Sequence, residues 1–125
     1  MFDHVGIYVS DMETARKWYT KALAPLGITE LVYFPEYHYA GMGSERPQFW
    51  FGQSHEGHPV SRSVHLAFSA KTHAEVDAFY AAAIEAGGTD NGKPGLRSED
   101  SPDYYGAFVF DLDGNNGEAV CHTSE

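Results

Sequence analysis

The chain has 125 residues, of which 42% are hydrophobic and 14% aromatic, and it carries a formal net charge of −10. This length fits one domain with a sizeable core, and the hydrophobic content excludes a disordered chain. The acidic balance and the scattered Lys and Arg residues exclude a nucleic-acid-binding groove. The sequence has no apolar run of about 18 residues and no signal-peptide pattern, so we expect a cytoplasmic protein without membrane contact. The single cysteine, Cys121, excludes an internal disulfide and fits a reducing compartment.

The first half of the chain is predicted to form a strand, a helix and three further strands. Residues 2–9 alternate between apolar side chains and a second set that contains His4 and Tyr8, which predicts a strand with these two on one face. Ser10 with Glu13 three residues later is typical of a capping box and predicts a helix start. Further strands are predicted at 28–34, 37–42 and 48–51, before a polar linker at 53–61.

The second half is predicted to begin in the same way. Residues 62–68 alternate around His65, and Thr72 opens a second capping box for a helix that ends at the Gly-Gly pair 87–88. Near the end of the chain, residues 107–121 contain two apolar strands on either side of a turn at 113–116, which is rich in Gly, Asn and Asp. Glu118 lies at the start of the last strand.

The two halves form an internal repeat. Moving the second half back by 61 residues places His65 on His4 and the Phe79-Tyr80 pair on Trp18-Tyr19. Neither half is able to bury a sheet face alone, so the two are predicted to pair. We therefore predict an α+β fold in which two βαβββ modules, residues 1–57 and 58–125, form one domain with a curved mixed sheet around a cavity.

The repeat makes His4 and His65 candidate metal ligands, because it places them at equivalent positions. A lone strand histidine is usually an ordinary packed residue, and a lone strand-end carboxylate usually points to water. Two histidines at equivalent positions, however, are predicted to point into one cavity, where Glu118 completes the set. His4, His65 and Glu118 supply two imidazoles and a carboxylate with open positions, a set suited to Fe(II) and also to Mn, Co, Ni or Zn. The other five histidines are interpreted as surface residues or neighbours of the site: His38, His55, His58, His73 and His122.

With these motifs the sequence resembles the vicinal oxygen chelate superfamily, also called glyoxalase/bleomycin-resistance/dioxygenase proteins. The resemblance rests on the stretches 3–7, 65–68 and 104–118. The last is similar to the superfamily's usual ending, Asp-Pro-Asp-Gly-Asn followed by a metal-binding glutamate. Leu112 stands where the superfamily usually has Pro, and Gly117 stands where it usually has Ile or Leu. These two departures are expected to loosen the turn and the strand. The resemblance implies that His4, His65 and Glu118 are metal ligands and that Glu118 is catalytic.

The resemblance also bears on the reaction. Glyoxalase I-like members are expected to carry a fourth ligand, a glutamate that also acts as base, on the last strand of the first half. Here that strand, residues 48–51, is aromatic, and only Gln48 is able to coordinate. A thiol-transferase-like or dioxygenase-like reaction on a small oxygen-chelating substrate is therefore favoured over lactoylglutathione lyase activity.

Several side chains are predicted to line the cavity, with ordinary core packing as the alternative for the aromatic ones. Tyr104 is expected to join Arg97 and Tyr105 in holding an anionic or phenolic substrate, and Cys121 should face away from Glu118. A second hypothesis is a metal-free protein that sequesters an aromatic compound, as bleomycin-binding relatives do. Superfamily members commonly pair, so a homodimer is expected. The predicted substrate-binding residues are Tyr8, Trp50, Arg97, Tyr105 and Phe110.

Overall fold

Two consecutive runs of strand, helix and three strands make up the fold, which a computed structural model describes for residues 1–99 and 101–125. The first run contains β1 (Val5–Val9), α1 (Met12–Leu23), β2 (Thr29–Phe34), β3 (Tyr39–Gly43) and β4 (Phe49–Gln53). The second contains β5 (His65–Ser69), α2 (His73–Glu85), β6 (Thr89–Leu96), β7 (Tyr105–Phe110) and β8 (Asn116–Cys121). The α+β class and the two βαβββ units are confirmed, and the predicted boundary between residues 57 and 58 falls between β4 and β5.

Each run forms its own four-stranded sheet. The strand orders are β1-β4-β3-β2 and β5-β8-β7-β6, so the two halves have the same topology. β1 pairs with β4 in parallel, as β5 does with β8, and the remaining pairs are antiparallel. The sheets are mixed, as predicted, but within one chain they are two separate sheets instead of one continuous curved sheet.

Helix α1 begins one residue later than its capping-box pattern predicts. Asp11, not Ser10, is the N-cap, and its carboxylate accepts from the Thr14 N–H at 3.0 Å. Ser10 is engaged elsewhere, because its hydroxyl and its N–H both donate to the Asp113 carboxylate (2.6 and 3.0 Å). At α2 the predicted cap is confirmed, since Thr72 accepts from the N–H three residues later at 3.1 Å. Neither helix of the described chain is long and apolar enough to cross a membrane.

Each helix covers one face of its own sheet and buries apolar side chains there. The Tyr19 ring of α1 packs against Phe49 and Phe51 of β4, with ring centroids 5.0 and 5.3 Å apart. The two helices meet where the Trp18 indole N–H donates to the Ala83 carbonyl at 3.2 Å. This packing leaves the opposite face of each sheet without a helix.

These two uncovered faces position the side chains of the site. Strand register and the alternation of side chains place every second residue on them. We call them the first and second open faces. The first open face carries Gly6, Tyr8, Tyr39, Gly41, Trp50 and Gly52, with His4 just before β1. The second carries His65, Ala67, Gly106, Phe108, Phe110, Asn116 and Glu118.

Hydrogen bonds join the turn between β7 and β8 to the first half of the chain. The Tyr19 hydroxyl donates to the buried Asp111 carboxylate at 2.5 Å, and the backbone N–H groups of Asp113 and Asn115 donate to the same carboxylate at 2.9 Å. The Asn115 amide donates to the Ser61 carbonyl at 3.0 Å, and its oxygen accepts from a backbone N–H at the start of β5. These side-chain hydrogen bonds close the turn, and the loosening expected from Leu112 and Gly117 stays a prediction.

Candidate functional site

Glu118 is a carboxylate buried in the middle of a sheet. It lies on β8, opposite Ala67 of β5 on one side and Phe108 of β7 on the other. Only 1% of its surface is exposed, although the face on which it lies has no helix over it. A carboxylate buried to this extent persists only with partners that satisfy its charge.

Two side chains approach the two oxygens of Glu118. The Tyr104 hydroxyl donates to Oε2. His65 Nε2 lies 3.0 Å from Oε1, while the other ring nitrogen, Nδ1, lies 3.0 Å from the Asn116 carbonyl oxygen. Because a carbonyl only accepts, Nδ1 carries the proton and the Nε2 of a neutral ring carries a lone pair. Two acceptors then face each other at 3.0 Å, an arrangement that needs a proton or a cation between them.

This arrangement fits a divalent metal. A histidine that ligates a metal through Nε2 usually donates its Nδ1–H to a carbonyl or carboxylate, which fixes the tautomer and the ring plane. His65 has that partner in Asn116, and the Glu118 carboxylate beside it supplies a hard anionic donor. His65 is half exposed, so its Nε2 is accessible from the open face.

Arg97 and Phe110, both predicted to bind substrate, accompany Glu118 on the second open face. The Phe108 ring lies 6.2 Å from the His65 ring with planes 25° apart, and the Arg97 guanidinium lies 5.0 Å from the centroid of the same phenyl ring. Arg97 Nη2 donates to the Lys93 carbonyl at 3.3 Å, whereas Nε is buried without an acceptor among the described residues. The His65 ring and the Arg97 cation therefore lie near the same Phe108 ring.

His4 lies apart from this pair within one chain. In residues 1–99 and 101–125, no three His, Cys, Asp or Glu side chains are close enough together to hold a metal. His4 lies beside the first open face, where its Nδ1 is 2.8 Å from Asp3, and it lines a pocket of about 470 Å³ with Trp50 and Arg46. The hydrogen bond from His4 and the charge of Arg46 hold the pKa of Asp3 below its usual value.

Trp50 occupies the position in the first half that Glu118 occupies in the second. Trp50 is paired with Gly6 of β1, as Glu118 is paired with Ala67 of β5, and the 61-residue repeat superposes these partners. The fourth ligand position of the predicted site therefore falls on an indole ring. Gln48, which the sequence identified as able to coordinate, corresponds instead to Asn116 and is exposed.

Trp50 and Tyr39 form a flat aromatic surface on the first open face. Their rings stack with centroids 5.1 Å apart and planes 17° apart. Both rings lie directly on glycines, since a Cβ at Gly41 would be 2.9 Å from the indole and one at Gly52 would be 2.7 Å from the phenol. The glycines thus allow both rings to approach the sheet backbone closely, and both rings remain partly exposed.

Tyr105 points to the other side of its sheet. Its ring stacks on His73 of α2 at 3.8 Å, and its hydroxyl donates to Asp77 at 2.7 Å. This hydrogen bond, together with burial, raises the pKa of Tyr105 to about 12. Tyr105 therefore lies on the helix-covered face with Cys121, as the strand alternation predicts for Cys121, while Tyr104 is the tyrosine that reaches Glu118.

Sequence analysis did not identify Phe108 or the Asn116 carbonyl. Phe108 had a signal, because it lies two residues from Phe110 on one strand and so shares its face. The Asn116 carbonyl had none, because a backbone acceptor is placed by strand register and not by residue type.

Comparison with known proteins agrees with this fold. Residues 1–118 match the sequence profile of the Glyoxalase/Bleomycin resistance protein/Dioxygenase superfamily. No curated protein matches the chain in sequence. A crystal structure of a glyoxalase/bleomycin resistance protein from Albidiferax ferrireducens T118 is 31% identical, with a TM-score of 0.83 over 98% of this chain and 99% of that one.

More distant structures share the fold alone. TioX from Micromonospora sp. ML1 is 16% identical with a TM-score of 0.73, over 98% of this chain and 99% of that one. Glyoxalase I from Zea mays is 19% identical with a TM-score of 0.68, over 99% of this chain and 45% of that one. From the profile match over nearly its whole length, the chain belongs to the Glyoxalase/Bleomycin resistance protein/Dioxygenase superfamily.

Proposed function

We propose that this chain is a divalent-metal-dependent enzyme that acts on a small substrate with two neighbouring oxygen atoms. The observation that carries the proposal is the pair of His65 Nε2 and Glu118 Oε1 at 3.0 Å, with Nδ1 facing a carbonyl. Mn, Fe, Ni, Co and Zn all accept an imidazole and a carboxylate as ligands. The free cysteine on the helix-covered face fits a reducing compartment such as the cytoplasm.

A homodimer would complete this site. His65 and Glu118 lie on the second open face, and His4 lies beside the first, so one chain does not bring the three together. If the first open face of one subunit covers the second open face of the other, the partner subunit's His4 approaches His65 and Glu118. Two such sites form in a symmetric pair, one at each contact of the two faces.

The residues of the site favour addition to, or oxygenation of, the substrate over movement of a proton between carbons. A bound divalent ion would supply Lewis-acid polarisation and a template for two substrate oxygens. Tyr104 holds the Glu118 carboxylate in place, and the Arg97 guanidinium beside the Phe108 ring supplies a positive charge that favours an anionic group of the substrate. At the position of a fourth ligand and base stands Trp50, which is unable to take a proton from the substrate. Lactoylglutathione lyase activity is therefore the less favoured member of the superfamily's reactions.

Metal titration tests the proposal. We expect protein purified without chelator to bind one Mn, Fe, Ni, Co or Zn ion per chain by calorimetry. His65→Ala and Glu118→Gln should remove the binding while keeping the fold. His73→Gln, a histidine of the helix-covered face, is the matched control and should bind as the unchanged protein does. Absence of binding for all five metals would contradict the proposal.

The reaction class needs a separate screen. Mn- and Fe-loaded protein is to be assayed with epoxides plus thiols, with catechols, and with the hemithioacetal of methylglyoxal. We expect turnover in one of the first two classes and its loss in Glu118→Gln. Turnover of the hemithioacetal at ordinary enzyme rates would contradict the argument from Trp50.

The second candidate function is metal-free binding of an aromatic compound, and the surface formed by Trp50 and Tyr39 supports it. A stack between two aromatic rings contributes about 0.5–1.5 kcal/mol beyond the burial of their area. Trp50→Ala separates the candidates: it should abolish binding of an aromatic compound if the protein is a sequestering protein. If the protein is the metalloenzyme, Trp50→Ala should keep metal binding by His65, Glu118 and the partner's His4, and light scattering checks that the dimer is kept.

A further inference from the structure

The segment between β4 and β5 is folded back onto the first sheet and carries two histidines to a pocket there. Its polar composition predicts a linker, yet His55 and His58 exchange both backbone hydrogen bonds at 2.9 Å, which closes a turn of two residues between them. The turn fixes the two imidazoles edge to face, with centroids 4.8 Å apart. The segment therefore contains an ordered turn that holds both imidazoles in position.

Tyr8 of β1 receives this turn. The His58 ring stacks on the Tyr8 ring at 4.6 Å with an angle of 10°, and the His55 ring meets Tyr8 edge-on at 6.3 Å. The Gly57 N–H donates to His55 Nδ1 at 3.2 Å, so the proton of a neutral His55 ring is on Nε2. His55 therefore presents an N–H donor beside an aromatic wall.

A third histidine, His38, reaches the same pocket from the other side with a strained backbone. His38 has φ 51° and ψ 54°, a left-handed conformation that favours glycine or asparagine. The position is fixed, because its N–H donates to the Pro35 carbonyl and its own carbonyl accepts from Gln53. A histidine in a conformation where glycine is the less strained residue points to a use for its side chain.

The pocket between these groups has a volume of about 340 Å³. Its apolar walls are Tyr8, Tyr39, Phe34 and Tyr37, and the last two remain 41% and 76% exposed, unusually open for such large rings. No carboxylate lines it among the described residues, although the chain as a whole is acidic. Ring faces and imidazole donors in this pocket suit a flat aromatic ring with an anionic substituent.

We propose that the pocket formed by Tyr8, His38, His55 and His58 is a second binding site, specific for planar aromatic carboxylates. The ring of the ligand stacks between the aromatic walls, and its carboxylate accepts hydrogen bonds from the imidazoles. Within one chain this pocket shares no residue with the pair His65 and Glu118, so it goes beyond the proposed metal-dependent activity. It lies at the Tyr8 end of the first open face, whereas His4, which the proposed dimer would bring to the metal site, lies at the other end of β1.

Calorimetry with 2-naphthoate, in the presence of chelator, tests this inference. We expect naphthoate to bind at least about tenfold more tightly than the isosteric neutral 2-naphthamide, because the amide lacks the charge that strengthens its hydrogen bonds. His58→Ala should weaken naphthoate binding by about tenfold through loss of the stack and a donor. His38→Gly should do the same while relieving the backbone, so its thermal stability should match or exceed that of the unchanged protein.

The control variant is His65→Ala, which should bind naphthoate as the unchanged protein does even if it loses metal. Failure of the metal proposal and failure of this one are therefore distinguishable. The inference is overturned if naphthoate does not bind at millimolar concentration, or if the neutral amide binds equally well. It is also overturned if His38→Gly and His58→Ala bind normally, or if His65→Ala alone abolishes binding.

Discussion

The proposed metal site depends on three side chains: His65, Glu118 and Tyr104. The carboxylate is buried, its two oxygens face two different partners, and the tautomer of the histidine is fixed by a backbone carbonyl. A site of this kind depends on the groups around the ligands as much as on the ligands, because those groups hold the donor atoms in position.

Replacing Tyr104 by Phe tests this dependence. The variant removes the hydroxyl that donates to Glu118 Oε2 and keeps the ring. We expect metal affinity to fall by about 10–100-fold, as is typical when a partner of a metal ligand is lost. Calorimetric titration with Mn measures the change, and circular dichroism confirms that the fold is kept. Unchanged affinity would show that Tyr104 does not position Glu118 for a metal.

The Tyr19 hydroxyl is predicted to stabilise the fold in a way that depends on pH. Burial and the neighbouring Asp111 carboxylate raise the pKa of Tyr19 well above its usual value. The neutral phenol is thus the form that stabilises the fold, so its contribution is complete below about pH 10 and is lost as the pH rises further. Tyr19→Phe should cost about 1–3 kcal/mol at pH 7 through the lost hydrogen bond.

Denaturant unfolding of both proteins between pH 7 and 11 measures this effect. The difference in free energy of unfolding should shrink above pH 10, while the fall that both proteins share comes from other tyrosines such as Tyr105. Parallel pH curves would contradict the assigned role of Tyr19.

At the scale of elements, the turn between β7 and β8 joins the two halves of the chain. Asn115 is 99% buried and links three places, since it contacts Asp111, the Ser61 carbonyl and the N–H of Val64. The same turn begins β8, so it also sets the register that brings Glu118 beside His65.

Asn115→Ala should therefore destabilise the whole fold. Because it leaves buried backbone groups without partners, we expect a loss of roughly 2–5 kcal/mol. Asn91→Ala is the matched control: Asn91 is exposed and its amide donates to the Asn116 side chain, so a change within about 0.5 kcal/mol is expected. Equal stability of the two variants by urea unfolding would show that the turn does not hold the halves together.

Elements that depend on local chemistry were predictable from the sequence. Both βαβββ units follow from the repeat that superposes His65 on His4, and the Thr72 cap follows from neighbouring residues alone. The Ser10 cap failed because Asp113, 103 residues away, takes the serine hydroxyl. The division into two sheets also escaped prediction, since hydrophobic alternation marks a strand's faces but not its neighbours.

The candidate site was predictable only in part. Pairing of the equivalent first strands suggested that His4 and His65 share a cavity with Glu118. The structure places His65 Nε2 3.0 Å from Glu118 Oε1, but it places His4 beside the other sheet. The role of Trp50 as the counterpart of Glu118 needed the strand register, and the turn of Tyr105 toward α2 needed the exact start of β7. A shift of one residue along a strand moves a side chain to the other face, so sequence spacing alone leaves such assignments open.

For the whole molecule, the two open faces are the main feature. The helices cover only one side of each sheet, and the uncovered sides carry a buried carboxylate on one and a stacked pair of rings on the other. Burying such faces against each other would explain why the ligand set is divided between them.

A homodimer is the assembly that this division predicts. Light scattering should give twice the monomer mass of 13.8 kDa at micromolar concentration. Trp50→Glu, which places a charge on the first open face, should weaken the dimer because a desolvated charge without a partner is costly. Monomer mass for the unchanged protein across this concentration range would contradict the prediction.

The most direct test of the shared site is complementation between two defective chains. His4→Ala and His65→Ala are each expected to abolish metal binding as homodimers. In a mixed dimer, purified with a different tag on each chain, one site keeps the unchanged His65 and Glu118 of one subunit and the partner subunit's His4, whereas the other site loses both histidines. We expect about one bound ion per mixed dimer, against about two for the unchanged dimer and none for either variant alone. Mixed dimers that bind no metal, although the unchanged dimer does, would contradict a site shared between subunits.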